Sequence, residues 1–502
     1  MRRLIGLGIA PSILLALGLL TPGNAAAQTK PNVVFILADN VGYGDLVPYA
    51  GGQLRGYPTP RADQLAREGL RLTQFLVEAS CSPSRAALMT GQYAIRNGLS
   101  LAMVPGTPNT LSAKAYTMGQ LFKDAGYATA IFGKWHLGGN IGSDPQSLPT
   151  SHGFDEFYGI PPDTSWDDSI TVPLILQTHS VNVPEKALLE KGPWIMAQRA
   201  GGPLERVKPF TPEVRAEIDD ELTDKSVAFM RAQHGGGKPF FLYFPFSMGH
   251  APNYPSKQFA GKSRIGQYGD KMMEGDYHVG QVLDALKELQ IENNTIVVYA
   301  ADNGPWGWSG QQLGNLGSPD MGSPGPFRGN LGEATDGSVR TFCFIRWPGH
   351  VQPGTTSNAM FSEMDFMPTF AAILGRKLPT DRPIDGVDQT AVLLGKSEMG
   401  ARESLLTIIG ADIVAVRWNQ WRVYFIDQHL TGTDHQMLGD LEIGSSSLYF
   451  PKVYNIEMDP HEDLNVAGVH LWVLEFAFKP VKEYLESLRK YPNPPPSNLT
   501  HF

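Results

Sequence analysis

The sequence predicts an α/β protein: a large mixed, mainly parallel sheet sandwiched by helices, with a smaller C-terminal antiparallel sheet plus helix. Over most of the 502 residues, short apolar runs of strand length alternate with segments of helical period, which is typical of parallel strands joined by helices. From about residue 382 the pattern changes to short aromatic-rich segments separated by turn residues, which favours antiparallel strands. The length allows a large enzyme domain and a smaller one.

Two β-branched apolar runs, at 33–38 and 295–300, share one design. Each predicts a buried strand that leads into a polar loop. In a parallel sheet, ligands collect beyond the carboxyl ends of the strands, so we expect the polar side chains after both runs to lie close together. These side chains are Asp39, Asn40, Asp302 and Asn303.

Two further apolar runs, at 128–132 and 239–246, also end in polar clusters. The clusters contain Lys134, His136 and His250. Any one such junction is polar simply because turns are polar. Four clusters at four predicted strand ends instead favour a common site.

The segments between the predicted strands have an apolar spacing of about 3.6 residues, which predicts helices. The clearest are residues 62–69, 118–125 and 277–289. Residues 142–215 form an irregular stretch containing Pro, Ser and Trp. We expect this stretch to be an insertion that shapes the mouth of a substrate site.

The C-terminal part is predicted to fold into a small antiparallel sheet and then a helix. Pro480 should break or restart the helical segment between 471 and 488, because proline lacks the amide hydrogen that a helix needs. The predicted strands are 413–416, 421–426 and 448–456. The predicted domains are a signal peptide at 1–27, a catalytic domain at 28–381, a small α+β subdomain at 382–490 and a loose tail at 491–502.

Composition and charge exclude several classes of protein. Hydrophobic residues make up 42% and charged residues 18% of the chain, which excludes a disordered, collagen-like or coiled-coil protein. The formal net charge of −9, without a basic block, argues against nucleic acid as a partner.

Residues 1–27 have the features of a secretory signal peptide. Arg2 and Arg3 precede an apolar stretch, and residues 25–27 are alanines suited to cleavage. A transmembrane anchor is the alternative interpretation, which Pro11 within the apolar stretch disfavours. We therefore expect a periplasmic or secreted protein without a stable membrane anchor.

The chain has only two cysteines, Cys81 and Cys343, which excludes a disulfide framework and a four-cysteine zinc site. Cys81 opens a predicted helix and has Arg85 nearby. The helix terminus and the arginine favour a partly ionised thiol. The alternative is a small buried residue, which most free cysteines are.

The segment Cys-x-Pro-Ser-Arg beginning at Cys81, followed by Thr90-Gly91, resembles the signature of type I sulfatases. These are formylglycine-dependent, arylsulfatase-like enzymes of the alkaline-phosphatase-like superfamily. The resemblance extends over most of the mature chain, because further motifs follow in the same order and spacing. They are Asp39, Gly42, Tyr43, Gly44 and Asp45, then residues 133–138, His152-Gly153-Phe154, His250, Asp302-Asn303-Gly304 and Arg346-Trp347-Pro348-Gly349.

The resemblance implies that Cys81 is oxidised to Cα-formylglycine by a formylglycine-generating maturation enzyme. One hydroxyl of the hydrated aldehyde would attack the sulfur of a sulfate ester. Loss of the proton from the other hydroxyl would then expel inorganic sulfate and restore the aldehyde. Cys343 is expected to be a packed strand residue.

Hard oxygen ligands at two strand ends suit Ca²⁺, with Mg²⁺ as the alternative, and do not suit a soft metal. Together with an oxygen of the modified cysteine, they match the calcium site of the family. The implied ligands are Asp39, Asn40, Cys81, Asp302 and Asn303. The metal would act as a Lewis acid on the sulfate.

The resemblance also implies roles for the basic residues. Arg85 matches the arginine that steadies the hydrated formylglycine, and Lys134 matches the lysine that contacts sulfate. His136 matches the histidine that takes the proton of the second hydroxyl, and His250 matches the histidine near the bridging oxygen. The residues expected to bind substrate are Lys134, His250 and Arg328.

Two positions depart from the family's pattern. Asn40 stands where a second aspartate is usual, so we expect weaker metal binding or a changed charge balance. Leu331 stands where a lysine commonly helps to hold sulfate. Either Arg328 or Arg340 supplies the missing cation, or the leaving group relies more on His250.

The sequence thus predicts an exported sulfuric ester hydrolase that releases inorganic sulfate from an aryl or carbohydrate sulfate. The alternatives are a phosphomonoester or phosphodiester hydrolase of the same superfamily and a non-catalytic, calcium-bound glycan-binding protein. Candidate residues at the substrate mouth are aromatic or acidic. They are Trp166, Trp306 and Trp308 for stacking on a ring, and Asp163, Asp167 and Asp168 for selecting hydroxylated rings.

Overall fold

Strands and helices alternate along most of the described chain. The computed structural model describes residues 30–103, 109–138, 145–162, 193–306, 322–429 and 444–496. The strands are β1 Asn32–Ala38, β2 Leu70–Leu76, β3 Ala128–Lys134, β4 Glu156–Ile160, β5 Trp194–Arg199, β6 Glu205–Pro209, β7 Phe240–Pro245, β8 Thr295–Ala301, β9 Arg340–Arg346, β10 Thr355–Ser357, β11 Phe361–Ser362, β12 Ser404–Ile409, β13 Asp412–Trp418, β14 Trp421–His429 and β15 Gly444–Asn455. The α-helices are α1 Pro60–Glu68, α2 Cys81–Thr90, α3 Met118–Asp124, α4 Pro212–Gly236, α5 Gln267–Glu288, α6 Asp336–Val339, α7 Phe366–Ile373, α8 Thr390–Leu393 and α9 Val473–Ser487.

The main sheet is mixed and mainly parallel, which confirms the predicted fold class. Within the described residues its strands run in the order β10-β2-β9-β8-β1-β7-β3-β4-β5-β6, and β11 pairs with β2. The central strands β8, β1, β7, β3 and β4 are parallel to one another. Strands β9, β5 and β6 join antiparallel. The carboxyl ends of β8, β1, β7 and β3 therefore meet at one edge of the sheet.

Strand β1 lies in the middle of the sheet, and its side chains supply both hydrophobic cores. Val33, Phe35 and Leu37 pack into the cluster on one face, whereas Val34 and Ile36 pack into the cluster on the other. Helices α3 and α7 contribute to the first cluster, and α4 and α5 contribute to the second. Full burial of each such side chain contributes roughly 1.5–3 kcal/mol, so this strand is fixed from both sides.

The C-terminal sheet confirms the predicted antiparallel strands. Strands β12 to β15 pair in sequence order, and α9 packs on them. The prediction that Pro480 breaks the last helix was wrong, because α9 runs through this proline. Burial of Val473, Ala477 and Tyr484 against the sheet stabilises the turns on both sides, which offsets the missing hydrogen bond.

The predicted irregular stretch at 142–215 is only partly described, and its described end is more regular than expected. Strands β5 and β6 lie within it and extend the main sheet. Strand β6 is largely exposed and rich in charge, so it lacks the apolar run that marks a strand in sequence. The signal peptide at 1–27 and five of the candidate mouth residues lie outside the described residues. These five are Trp166, Trp308, Asp163, Asp167 and Asp168.

No helix in the described part of the chain combines the length and the apolar character needed to cross a membrane.

Candidate active site

The register of β1 and β8 brings the two pairs of oxygen-bearing residues together. Ala38 pairs with Ala301 at the ends of these parallel strands, so Asp39 and Asp302 follow side by side. The amide of Asp302 donates to the carbonyl of Ala38 at 3.1 Å, and the amide of Asn40 donates to Asp302 Oδ1 at 3.1 Å. The predicted convergence of the two strand ends is therefore present in the structure.

Lys134 reaches the same point from the end of β3. Its Nζ lies 2.8 Å from Asp39 Oδ2, and both side chains are fully buried. The preceding Gly133 has φ +139°, and a Cβ there would lie 1.9 Å from the carbonyl oxygen of Pro245 on β7. Only glycine allows β3 and β7 to approach this closely, which places Lys134 beside Asp39.

Cys81 begins helix α2 and points its sulfur at the first strand end. Its Sγ lies 3.4 Å from Asp39 Oδ1 and 3.3 Å from Asn40 Oδ1. His250 arrives from the loop after β7, and the ligand atoms of Cys81, Asp39 and His250 all lie within 4.8 Å of one another. All three residues are buried. These three atoms are close enough to share one ion, but a thiol and an imidazole do not suit a hard cation such as Ca²⁺.

Arg85 lies one helical turn after Cys81 and links the strand ends. Its guanidinium donates to Asp302 Oδ2 at 2.7 and 3.0 Å, and to the Lys134 carbonyl at 2.9 Å. It also lies 3.3 Å from Asp39 Oδ2. Burial alone would lower the pKa of Arg85, but the Asp302 and Asp39 carboxylates hold it above its usual value. The arginine is therefore charged.

The charges at this point are balanced. Burial, together with the Asp39 carboxylate, raises the pKa of Asp302 to about 6 against the opposing effect of Arg85 and Lys134. When ionised, Asp39 and Asp302 match the positive charges of Arg85 and Lys134. An anionic substrate at this site therefore requires a further positive charge.

The residues present fit a hard divalent cation. Asp39, Asn40, Asp302 and Asn303 offer side-chain oxygens at adjoining positions, and all are essentially inaccessible to solvent. In the described structure, Asn303 Oδ1 and Asn40 Nδ2 are buried without a hydrogen-bond partner. A buried acceptor without a donor costs free energy, and a cation bound by Asn303 Oδ1 would relieve that cost. Asn40 Oδ1 already accepts from Asn303 Nδ2 at 2.6 Å.

His136 is linked to the start of α2 through Met103. Its Nε2 lies 2.8 Å from the carbonyl oxygen of Met103. Because a carbonyl only accepts hydrogen bonds, Nε2 carries the proton and Nδ1 is the basic nitrogen. The amide of Met103 in turn binds Ser82 Oγ at 3.0 Å. His136 is thus held beside the residue that follows Cys81.

Leu331 adjoins the site, whereas the two candidate replacement cations are directed elsewhere. The amide of Leu331 donates to the Pro305 carbonyl at 2.9 Å, and the next amide, of Gly332, donates to Ala79 at 2.8 Å. Arg328 is exposed, and its NH1 lies 3.5 Å from the Glu462 carbonyl. A role for it in substrate binding stays a prediction.

Arg340 belongs to a buried cluster away from Cys81. Its NH1 lies 2.9 Å from Asp336 Oδ2, and its Nε donates to the Thr73 carbonyl at 2.8 Å. Arg417 and Arg422 of the C-terminal sheet approach the other oxygen of Asp336 at 3.1 and 3.6 Å. Asp336 therefore links the segment after Leu331 to the C-terminal sheet, and Arg340 links Asp336 to β2.

Two buried carboxyl groups lie behind the segment that leads to Cys81. Glu363 Oε1 accepts from the amide of Glu78 at 2.8 Å, and Glu78 Oε1 accepts from the amide of Ala94 at 3.3 Å. Burial, reinforced by the Asp385 carboxylate, raises the pKa of Glu78 to about 8. Burial and Glu78 also raise the pKa of Glu363 well above its usual value.

Sequence reasoning found the residues at the strand ends but missed those that support His250. The charged side chains of Arg215 and Asp219 contact the loop that carries this histidine. Arg215 falls in the stretch predicted to be irregular, and charged helix residues usually face solvent. No local pattern distinguishes them. Trp306, a predicted mouth residue, does lie at the site, with its ring centroid 5.5 Å from that of His250.

Comparisons with known proteins agree with this geometry. A family model described as Sulfatase matches residues 31–376. Arylsulfatase A from Bos taurus is 33% identical over 482 residues, which cover 92% of this chain and 88% of the relative. N-acetylgalactosamine-6-sulfatase from Rattus norvegicus is 36% identical over 399 residues, which cover 76% of this chain and 68% of the relative. The crystal structure of the PsFucS1 sulfatase from Pseudoalteromonas sp. superposes with a TM-score of 0.81 at 31% identity, and the match covers 93% of this chain and 92% of that one.

The match to the family model spans most of the chain, and the similar proteins align over most of their own length. The predicted enzyme class is thus confirmed. The chain belongs to the sulfatase family, within the alkaline-phosphatase-like superfamily, and is an enzyme that hydrolyses sulfate esters.

Proposed function

We propose that this sulfatase is exported and releases inorganic sulfate from an aryl or carbohydrate sulfate by means of a formylglycine derived from Cys81 and a bound Ca²⁺. The observation that carries the proposal is the position of Cys81. Its sulfur lies 3.4 and 3.3 Å from two side-chain oxygens, at the start of a buried helix. Arg85, in the next turn of that helix, faces Asp39 Oδ2 and Asp302 Oδ2.

The surroundings of Cys81 suit a hydroxyl nucleophile better than a thiolate. Asp39 Oδ1 and Asn40 Oδ1 are hydrogen-bond acceptors aimed at the sulfur, and acceptors disfavour a negative charge there. Formylglycine, as its hydrate, would supply the hydroxyl that attacks the sulfur of the ester. The family resemblance and the position of Cys81 support this modification.

Asp39, Asn40, Asp302 and Asn303 would hold the metal. When bound, Ca²⁺ would supply Lewis acidity and the positive charge that the balanced cluster lacks. The buried and unsatisfied Asn303 Oδ1 supports this assignment. Asn40 contributes an amide oxygen in place of a carboxylate, so the site carries one negative charge fewer than the family's usual one.

Lys134 is the cation that would contact the sulfate group, and Arg85 would steady the hydrated formylglycine. Both are buried and already fixed by carboxylates, so little reorganisation is required when the substrate binds. His136, which carries its proton on Nε2, leaves Nδ1 as the nitrogen that can accept a proton. We assign it the proton of the second hydroxyl.

His250 is the proposed proton donor to the leaving oxygen. Its Nδ1 lies 2.5 Å from the Ala251 carbonyl, which only accepts, so Nδ1 donates and Nε2 is the nitrogen that exchanges protons. A nitrogen of the His250 imidazole lies within 4.8 Å of Cys81 Sγ. Since no lysine stands at 331, this histidine would carry most of the leaving-group assistance.

The substrate is proposed to carry a ring next to the sulfate. The printed names of the similar proteins include an arylsulfatase and a sulfatase of N-acetylgalactosamine. Trp306 lies edge-on to His250 at the mouth of the site and is half-buried. An indole ring at this position would suit an aryl ring or the apolar face of a sugar.

The test combines mass measurement with turnover. The chain is co-expressed with a formylglycine-generating enzyme, and the peptide that contains Cys81 is weighed. We expect a mass below that of the cysteine peptide, and calcium-dependent hydrolysis of an aryl sulfate in strong preference to the matching aryl phosphate. Cys81→Ala is the matched control and should fold but not turn over. An unmodified Cys81 in an active preparation, or a preference for the phosphate, would overturn the proposal.

A further inference from the structure

The His250 loop, residues 247–256, brings His250 to the site without help from strand pairing. It begins after β7 ends at Pro245, and it contains no helix or strand. Its first part passes directly against Asp39. The Met248 carbonyl accepts from the Asp39 amide at 3.0 Å, and a Cβ on Gly249 would lie 2.4 Å from the Asp39 carbonyl oxygen. Something other than regular structure must fix the loop beyond this point.

Two charged residues of α4 hold the loop on both sides of Gly249. Arg215 NH2 donates to the His250 carbonyl at 2.7 Å, and its Nε donates to the Pro252 carbonyl at 2.9 Å. Asp219, one helical turn later, accepts from the amide of Ser247 at 2.9 Å and from its hydroxyl at 2.7 Å. One helix face therefore clamps the peptide that carries His250.

These contacts are built into the core. Arg215 is 2% exposed and Asp219 is inaccessible to solvent. Helix α4 begins at Pro212 after Thr211, whose side chain accepts from the Val214 amide. This capping fixes the first turn of the helix. Arg215 consequently projects from a rigid position.

Helix α5 extends the support to the far end of the loop. Lys271 Nζ lies 2.9 Å from Asp219 Oδ2 and 2.9 Å from Glu274 Oε1. Glu274 Oε2 in turn accepts from the Ser256 amide at 2.9 Å. Burial raises the pKa of Asp219, but Lys271, His278 and the hydrogen bond from Ser247 together hold that pKa below its usual value. Buried charges that are fully paired give a defined geometry at a cost in stability.

We infer that Arg215 is a positioning residue for catalysis, which fixes the imidazole of His250 through the loop backbone. His250 Nδ1 is bound to the carbonyl of Ala251, and Arg215 holds the carbonyls on either side of that residue, those of His250 and Pro252. The ring orientation thus depends on the peptide that Arg215 fixes. Asp219 sets the start of the same loop. This inference rests on the proposed role of His250 as proton donor.

The experiment compares leaving groups, because a merely structural defect would lower turnover of all esters alike. Arg215→Lys and Arg215→Ala are made in the matured, calcium-loaded full chain, and kcat is measured for sulfate esters of increasing leaving-group pKa. We expect activated aryl sulfates to change by only a few-fold and poorly activated esters to slow by about 10- to 100-fold. Guanidinium at a low, non-denaturing concentration should partly restore Arg215→Ala on the poorly activated esters.

The matched control is Arg417→Ala. Arg417 is also a fully buried arginine, but it binds Asp336 and Gln74 beneath the C-terminal sheet. We expect it to lower stability without changing the dependence on the leaving group. Ser247→Ala removes only the hydroxyl that donates a hydrogen bond to Asp219. We expect this variant to fold more readily than the Arg215 variants and to show a weaker change in the same direction as Arg215→Lys.

His250→Ala distinguishes the role of His250 as proton donor from the positioning role of Arg215. If it does not steepen the leaving-group dependence, the proposed role of His250 is wrong. If it does, but every folded variant of Arg215 and Ser247 keeps the wild-type dependence, the positioning role of Arg215 is wrong. A steeper dependence in Arg215→Lys, rescued by guanidinium in Arg215→Ala, supports the inference.

Discussion

The floor of the site, formed by Asp39, Asn40, Asp302 and Asn303, and the His250 loop reach the same point by different means. The floor follows two adjacent parallel strands, and the pairing of Ala38 with Ala301 fixes its position. The loop has no strand partner and is held by the side chains of Arg215 and Asp219. Backbone pairing fixes the first region, and buried charge fixes the second.

This difference shows how a substitution would act in each region. A change in the floor removes ligands and leaves the sheet register intact, so chemistry should fail before the fold does. A change in the loop's supports would leave every proposed ligand in place but move the proposed proton donor. On the proposed mechanism, the floor governs whether the reaction occurs, and the loop governs which leaving groups are served.

The largest expected effect comes from removing a carboxylate of the floor. Asp302→Ala deletes the acceptor of two Arg85 hydrogen bonds and a proposed metal ligand. We expect kcat/KM for an aryl sulfate to fall by about 10³-fold or more, with loss of bound calcium measured by elemental analysis. His250→Ala is the comparison, because it should keep its calcium. If Asp302→Ala retains stoichiometric calcium, the floor is not the metal site.

The floor could be predicted from sequence, whereas the loop's supports could not. The apolar run at 33–38 and the polar pair after it are adjacent in the chain, so a short window contains both the strand and its ligands. Arg215 lies 35 positions before His250, and Asp219 lies 28 before Ser247. Nothing near them in sequence shows that they face the core. Strand β6 was missed for a related reason, since an exposed, charged strand lacks an apolar run.

The next effect concerns a second loop held by buried charge. Asp336→Ala removes the carboxylate shared by Arg340, Arg417 and Arg422 and leaves three buried arginines without it. We expect the free energy of unfolding to fall by about 3–5 kcal/mol, measured by urea titration. The fraction that stays folded should keep its kcat on activated esters. Unchanged stability would show that the arginines find other partners. Asp388→Ala, at an exposed position, serves as the control.

The segment before Cys81 combines support by strand pairing with support by buried side chains. It follows β2, which ends at Leu76, and buried carboxyl groups fix the residues beyond that strand. Glu78 has a folded-state pKa of about 8, above the ordinary value for an unfolded chain, so the folded protein holds a proton that the unfolded chain releases. The contribution of this group to stability is therefore full at low pH and is lost as the pH rises from about 4.5 to 8.

Glu78→Gln should remove that pH dependence. Below about pH 5 the variant and the wild type should unfold at similar temperatures, whereas near pH 9 the variant should be more stable by an amount on the order of 5 kcal/mol. Thermal unfolding at the two pH values measures the difference. Equal shifts of both proteins across this range would show that Glu78 does not titrate as described. Glu363→Gln provides a second measurement, because burial raises the pKa of that carboxyl too.

The smallest expected effect is a gain in affinity for calcium. Asn40→Asp adds a carboxylate to the floor, where the chain now has an amide that faces Cys81 and Asn303. We expect calcium to bind about tenfold more tightly, measured by competition with a chelator, while the protein without calcium becomes less stable. Asn303→Asp is the paired variant on the other strand end. Unchanged affinity in both would exclude these amides as ligands.

The position of β1 has a consequence for the time course of unfolding. The strand is bonded on both edges and buried on both faces, so its amides should exchange with solvent hydrogen only when the whole domain opens. Asp39 and Asn40 are the two residues that directly follow this strand. As long as a molecule is folded at all, half of its floor is therefore in place, and partial opening elsewhere interrupts catalysis without erasing the ligand geometry.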